Sequence, residues 1–419
     1  MRDLFAVGSF RHMVATQFLT VFNDNAFRQT VLLLALAADS AGFGSDPQAR
    51  AGLVFALPFL VFAVFAGDVA DRFSKRGVIV AAKWAEVGVM ALATFALFAG
   101  SLPFGVAALF LMGAQSAFLS PAKYGIIPEI VARRDLGRAN GLMHSSVLVG
   151  IILGQSAAGI MKSALPGAIW SIPLLLALLA LFGVWIARKI APVPVADPQR
   201  RLRLNPFARL PAGMAIAWRN KPLFAVMMAH GVFHLIGGVF LYSWNQMGVR
   251  ELGQNEGLWS AALALLSVAL AAGSLLAGRL CRNRLRAGLV PLGGVILAAT
   301  MFAVAAGPRS AGYAFGVLMC GYVAAGLFLV PLNTLLQQLP DEAEKGLAQG
   351  ASITLDWLFL VAASFLKEGL TMAGIGAADS FWVLGGIMLV TTLLLVRLGP
   401  DAARAIATIR AREQSAPRP

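Results

Sequence analysis

The residues of this sequence best suited to chemistry are a few charged and polar side chains set in apolar surroundings. Asp24 and Arg28 stand four residues apart, Lys83 and Glu86 three, and each spacing puts both members of a pair on one helix face. Opposite charges so placed either neutralise one another or offer a carboxylate and a cation to a ligand bearing both signs. Asn23 and Asn25 flank Asp24, a polar patch richer than packing alone demands. Lys123 follows Ser120-Pro121-Ala122, and its long stem either lifts the ammonium to an interface or lines a cavity. His230 and His234 share a face at a metal-ligand spacing, but no H-E-x-x-H pattern and no third ligand accompanies them. A polar cavity group or a bond between helices is therefore expected there; no metal and no cofactor is. Asp356 beside Trp357, and Asn333 with Gln337, add polar groups from the C-terminal half.

The elements that must position these groups are long apolar helices. Hydrophobic residues make up 58% of the 419 and charged residues 13%, more apolar material than one soluble core buries. Runs of about 20 nearly uncharged residues, enough to cross a hydrocarbon core, recur along the chain. Twelve spans are expected near 13–38, 51–67, 77–99, 104–126, 139–160, 165–187, 222–247, 257–279, 287–306, 311–338, 347–368 and 378–397. An ionisable group inside such a span costs at least about 2.5–3.5 kcal/mol, so each one asks for a partner, a cavity or a function.

The net charge of +14 does not mark a nucleic-acid binder, because the basic residues lie in short loops between spans. With both termini cytoplasmic, 26 of the 34 Lys and Arg fall on the cytoplasmic side and five, Arg50, Lys162, Arg250, Arg309 and Lys367, on the outer side. Arg11, Asp24 and Arg28 interrupt the first apolar stretch, which reads as helix 1 rather than a cleaved leader. Cys281 and Cys320 form no ligand or disulfide pattern. Five prolines and a cluster of arginines between Arg188 and Lys221 read as a linker. Its end, Phe207 to Trp218, reads as solvated linker or as a helix lying along the inner membrane surface. The expected organisation is an N-terminal bundle over 1–188, a cytoplasmic linker over 189–220 and a C-terminal bundle with a basic tail over 221–419.

Three landmarks repeat at nearly one offset: Gly67 with Gly278, Pro121 with Pro331, and Gly141 with Gly350, separated by 211, 210 and 209 residues. Asp24 and His234 are 210 apart and so are counterparts. Parallel six-helix repeats are the arrangement of the major facilitator superfamily, so an all-α membrane protein of twelve helices in two pseudo-symmetric bundles is expected. The stretch Gly67-Asp68-Val69-Ala70-Asp71-Arg72-Phe73-Ser74-Lys75-Arg76 resembles that superfamily's G-x-x-x-D-R-x-G-R/K-R/K loop, with Ser74 where the family has glycine. Gly67 is expected to allow close helix contact, Asp71 to hold a neighbouring helix end, and Arg72, Lys75 and Arg76 to meet helix C termini across the interface between halves. The second copy keeps Gly278, Arg279, Arg282 and Arg284 but loses the aspartate.

A narrower resemblance joins both halves. Phe22-Asn23-Asp24-Asn25-Ala26-Phe27, Ser120-Pro121-Ala122-Lys123-Tyr124-Gly125-Ile126, Ala139-Asn140-Gly141-Leu142 and Val330-Pro331-Leu332-Asn333-Thr334-Leu335-Leu336-Gln337 look like the bacterial lysophospholipid transporter family. Lys83 with Ala85-Glu86 is similar to relatives fused to an acyltransferase and an acyl-acyl-carrier-protein synthetase; here those enzymes are expected to be separate polypeptides. The resemblance implies inward movement of lysophospholipids, chiefly lysophosphatidylethanolamine, across the bacterial inner membrane for reacylation. The family's aspartate and lysine fall on Asp24 and Lys123; its helix-7 arginine does not carry over, Gly238 standing in its place. The implied phosphate partners are Arg28, Lys83 and Lys123, and the ammonium partners Asp24 and Glu86. A proton-coupled exporter of amphipathic drugs, with Asp24 or Glu86 as the titrating site, is the competing expectation. An enzyme is not expected: no His-x-x-x-x-Asp pattern follows His12, His144, His230 or His234, and no phosphate-binding P-loop is present.

Overall fold

In the computed structural model the residues described are 7–37, 45–132, 135–165, 167–195, 197–199, 201–202, 205, 207–208, 210–281, 286, 288–341 and 344–415. Their regular structure is helical: α1 (Gly8–Ala37), α2 (Pro47–Arg72), α3 (Lys75–Phe98), α4 (Leu102–Gly125), α5 (Ile127–Ile130), α6 (Leu136–Ala164), α7 (Ser171–Ala187), α8 (Leu210–Arg219), α9 (Lys221–Gln246, extended by a π-helical turn over Met247–Glu251), α10 (Glu256–Leu280), α11 (Leu289–Ala306), α12 (Ala311–Gln338), α13 (Lys345–Met372) and α14 (Ser380–Ser415). Among the described residues ten helices are long and apolar enough to cross a membrane. The protein is thus an all-α, multi-pass membrane protein. α7 is apolar but shorter, at 17 residues, because its first turn begins only at Ser171. α1 carries Asp24 and Arg28 in its interior and is not among the ten.

Local sequence explains where helices begin. Asp46 caps α2 through the Ala49 amide at 3.0 Å, and Asn220 caps α9 through Leu223 at 3.2 Å, each just ahead of a proline in the first turn. Gly100 after α3 and Gly374 after α13 take φ of 67° and 73°, where a side chain would be strained.

The chain divides into two compact units, Met1–Ala208 with Asn255–Ala264, and Arg209–Gln254 with Leu265–Pro419. In the first, α1 packs on α6 and α7, α2 on α4, and α3 on α4 and α7. Small residues set the spacing: a Cβ on Gly154 of α6 would lie 2.5 Å from the Phe22 carbonyl of α1, and one on Gly113 of α4 the same distance from the Phe55 carbonyl of α2. In the second unit α9 packs on α13 and α14, and α11 on α12 and α14. Gly293 of α11 faces the Ala324 carbonyl of α12, 2.6 Å from where its Cβ would stand.

Two stretches differ from expectation. The segment after α7, expected as linker, folds back on the first unit: Ile190 and Val193 are buried with Phe10, Met13, Ile79 and Leu119, and the Asp197 amide donates to the Asp71 carbonyl at 2.9 Å. Apolar residues alternating with Pro192 and Pro194 give an extended strip with side chains to bury and few amides to satisfy. Lys367, expected in an outer segment, lies inside α13 and is fully buried. Of the two readings of Phe207 to Trp218, linker or helix, the structure has a helix over Leu210–Arg219, which buries Gly213, Ile216 and Ala217 and leaves Trp218 exposed. Arg209, and Arg282, Asn283 and Arg284 of the second loop copy, lie outside the described residues.

Candidate functional site

In the first unit, α1, α3, α4 and α7 bring a polar cluster together. Lys83 and Glu86 of α3 are fully buried, and the Lys83 ammonium donates to Glu86 Oε2 at 2.6 Å and to Thr20 Oγ1 at 3.1 Å. Asn23 Nδ2 donates to Glu86 Oε1 at 2.7 Å and to the Leu176 carbonyl of α7 at 3.1 Å. Space for the lysine comes from Gly183 of α7, where a Cβ would stand 2.5 Å from Lys83 Cε. A buried ion pair needs further hydrogen bonds to offset desolvation, and Thr20 and Asn23 supply them.

Asp24 lies on the same stretch of α1. Ser116 of α4 donates to Asp24 Oδ2 at 2.5 Å, Gln115 to Oδ1 at 3.4 Å, and Gln115 also to Ser116 at 2.8 Å. Of the two pairs read from sequence, Lys83 and Glu86 meet; Asp24 and Arg28 do not. The Arg28 guanidinium sits over the Phe55 ring instead, 5.0 Å from its centroid. Asn25 bonds to its own helix at the Val21 carbonyl and stays outside the cluster. Lys123 is seven residues beyond Ser116 on α4, the same face about 10 Å along the axis, with its ammonium 5.1 Å from the Tyr124 ring centroid. Ser116, Gln115 and Gly183 were missed by sequence reasoning; a glutamine and a serine inside an apolar span were the available signal.

The loop between α2 and α3 ties down its own unit. Lys75 pairs with Glu129 of α5 at 2.5 Å, and Arg76 donates to the Arg188 carbonyl at the end of α7 at 2.7 Å. Arg76 thus meets a helix C terminus, as a cation should, but one in the same unit rather than across an interface. Arg72 stands over the Phe73 ring. Asp71 is held through its backbone carbonyl. Within the first unit, a Cβ on Gly67 would meet nothing within 4 Å among the described residues.

In the second unit α9 and α13 meet at His230, His234 and Asp356. His230 Nδ1 lies 2.8 Å from Asp356 Oδ1, His234 Nδ1 lies 3.5 Å from the same oxygen, and the imidazole centroids are 4.8 Å apart. Gly231 and Gly238 let α13 approach, with Phe359 and Ala363 packed where their side chains would be. Asn333 of α12 is half-buried and, among the described residues, makes no hydrogen bond. The structure therefore joins His234 to Asp356 but not Asn333 to either.

Comparison with known proteins places this architecture. Residues 13–364 match the Major Facilitator Superfamily. The chain is 30% identical over 341 residues to the lysophospholipid transporter LplT of Klebsiella pneumoniae subsp. pneumoniae, covering 78% of this chain and 79% of that protein. It is 29% identical over 364 residues to the lysophospholipid transporter LplT of Salmonella typhimurium, covering 85% and 86%. A bacterial homologue of the human lysosomal transporter Spinster superposes with a TM-score of 0.67 at 16% identity, over 96% of this chain and 98% of that one. A D-xylose–proton symporter gives 0.69 at 15%, over 92% and 96%, and these two likenesses establish the fold. The chain belongs to the major facilitator superfamily and, within it, to the family of the bacterial lysophospholipid transporters, which are transport proteins and not enzymes.

Proposed function

We propose that this protein moves lysophospholipids of the lysophosphatidylethanolamine type from the outer to the inner leaflet of the bacterial inner membrane, where a separate acyltransferase and acyl-acyl-carrier-protein synthetase restore the missing chain. The observation that carries this reading is the kinship with a lysophospholipid transporter over 79% of that protein's length. The first unit's cluster supports it, since a zwitterionic headgroup asks for a carboxylate and a cation within one polar region. Asp24 is assigned to the ammonium, and Lys123 with Arg28 to the phosphate. Lys83 and Glu86, sealed against each other, hold Asn23 and α1 in place. His234, Asp356 and Asn333 are assigned to headgroup selection. Twelve spanning helices, with α1 and α7 added to the ten, and cytoplasmic termini complete the reading. Its domains are a bundle over 1–188, a linker over 189–220 and a bundle over 221–419.

The loop of Gly67, Asp71, Arg72, Lys75 and Arg76 is assigned to gating, because contacts present in one conformation only are what bias a two-state equilibrium. Asp71→Ala is then expected to change the labelling of single cysteines placed at the inner ends of α4 and α12. Unaltered labelling with intact transport removes that role.

The main test is uptake of headgroup-labelled lysophosphatidylethanolamine into vesicles with and without the protein; equal uptake sinks the proposal. One observation favours a second reading, a proton-coupled exporter of amphipathic drugs. Among the described residues Asp24 is buried, accepts from Ser116 and makes no ion pair, which is how a proton-carrying carboxyl is housed. Proton-driven efflux of a cationic dye in the same vesicles, without lysolipid uptake, would select it.

A further inference from the structure

His230 and His234 lack a third ligand in sequence, and the packing of α13 on α9 supplies one. Asp356 Oδ1 lies 2.8 Å from His230 Nδ1 and 3.5 Å from His234 Nδ1, and one ligand atom from each residue falls within 4.8 Å of the other two. We infer that His230, His234 and Asp356 form a binding site for one divalent late first-row metal ion of the Zn2+, Co2+ or Ni2+ kind.

The donor set is two imidazoles and a carboxylate, which suits such ions. An ion held at about 2.0–2.2 Å by tetrahedral ligands spaces its donors roughly 3.3 Å apart, and with one ligand atom of each residue within 4.8 Å of the others the set reaches that spacing by turns of the two rings. Hydrogen bonding accounts for only half of the arrangement. His230 needs nothing beyond Asp356, yet His234 converges on the same oxygen at a distance too long for a hydrogen bond and places its own Nδ1 2.9 Å from the His230 carbonyl. That bond keeps a proton on Nδ1 in the ion-free protein and leaves Nε2 with a lone pair. The His234 side chain is 39% exposed, so the ring has room to turn a nitrogen inward.

Charge points the same way. Among the described residues the two histidines are the ion-pair partners of Asp356, whose side chain is only 13% exposed. Lys367 is eleven residues along α13, about 16 Å by helical rise, too far to pair with Asp356. A dication would balance the carboxylate and use both lone pairs, leaving at least one position for water or an anionic oxygen. The hydrogen bonds that orient the rings in the ion-free protein would be exchanged for metal bonds as the ion enters.

The test uses purified full-length protein carrying no histidine tag, with metal alone and no lipid, so its outcome is independent of the transport reading. The sequence helps, having only two other histidines, His12 and His144, and two cysteines to compete. Calorimetric titration with Zn2+ and Co2+ is expected to give one ion per chain. Substituted Cu2+ is expected to show nitrogen couplings by electron paramagnetic resonance. His230→Ala, His234→Ala and Asp356→Asn should each weaken binding at least about tenfold, the cost already paid when mere second-shell partners are lost. His12→Ala should bind as wild type does. Sub-stoichiometric binding to the wild type, or equal affinity in the three site variants, overturns the inference. Should a variant fail to fold, the wild-type spectra decide: a copper signal without nitrogen coupling overturns it as well.

Discussion

The two units house their buried charge in opposite ways. The first seals a full ion pair inside the helices: Lys83 and Glu86 are inaccessible, with Thr20 and Asn23 taking up the remaining hydrogen-bonding capacity. The second uses two imidazoles and one carboxylate, joined by fewer bonds and partly open. The spacing read from the sequence sharpens the contrast, since it pairs Asp24 with His234, 210 residues on. A fixed pair holds architecture whatever the surroundings, whereas imidazoles change state with what they bind.

The largest effect expected from breaking this contrast is on stability. Lys83→Ala leaves Glu86 buried without its cation and should cost about 3–5 kcal/mol. Lys83→Met with Glu86→Gln removes both charges while keeping acceptors for Asn23, and should recover most of that loss, since charge-free replacements of buried pairs are often neutral. Thermal unfolding in detergent compares the two, and a double variant no more stable than the single would show that the pair is not a closed unit. Gly183→Ala drives a methyl into Lys83 and should fall between them, at about 1–3 kcal/mol.

Next in size is transport. Asp24→Asn keeps an acceptor for Ser116 and leaves the fold intact but removes the charge offered to an ammonium. A hydrogen bond to a charged group is worth about 1.5–3 kcal/mol, so uptake of lysophosphatidylethanolamine at low concentration should drop roughly 10- to 150-fold. Lys123→Ala is expected to act similarly through the phosphate. Near-normal uptake at equal expression removes either residue from the site.

A smaller change is expected from the second unit. Asp356→Asn trades one carboxylate for an amide among imidazoles, at about 0.5–1.5 kcal/mol for a neutral bond, or roughly a 2- to 12-fold loss of uptake. A larger loss than Asp24→Asn produces would reverse the ranking of the two clusters.

Much of this was legible in the sequence because it is local. Helix length and apolarity follow from composition, the positions of Pro121 and Pro331 inside α4 and α12 from the repeat, and the Lys83–Glu86 pair from i,i+3 spacing. Proximity along the helix misled for Asp24, because Arg28 found an aromatic ring and Ser116, 92 residues away, found the carboxylate. The approach of Asp356 to His230 spans 126 residues, and the vacant volume at Gly183 exists only because α3 lies against α7. Such features depend on which helices become neighbours, and hydropathy does not encode that. The docking of Ile190 and Val193 is the same case in miniature, since a proline-rich stretch reads as linker until a hydrophobic surface is there to receive it.

The smallest effect expected is none at all, on removing a proton gradient. Glu86 is engaged by Lys83, Asn23 and Thr20 and has no exposed surface through which to trade a proton with water. That leaves Asp24, on the fringe of the cluster, as the one acid of the first unit's cluster placed to couple proton flow to lipid movement. Net inward flux does not require such coupling, because a lysolipid consumed by reacylation at the inner leaflet is replaced down its own gradient. The free energy then comes from the acyl-transfer reaction and not from an ion. Proteoliposomes with an internal lysolipid-consuming acyltransferase should accumulate label equally with and without a proton gradient, and Asp24→Asn should lower both rates by the same factor. Were a protonophore to abolish accumulation while the trapping enzyme stayed active, and were Asp24→Asn to remove only the gradient-dependent part, Asp24 would be a proton carrier rather than a headgroup ligand. The exporter reading would then replace facilitated lipid movement.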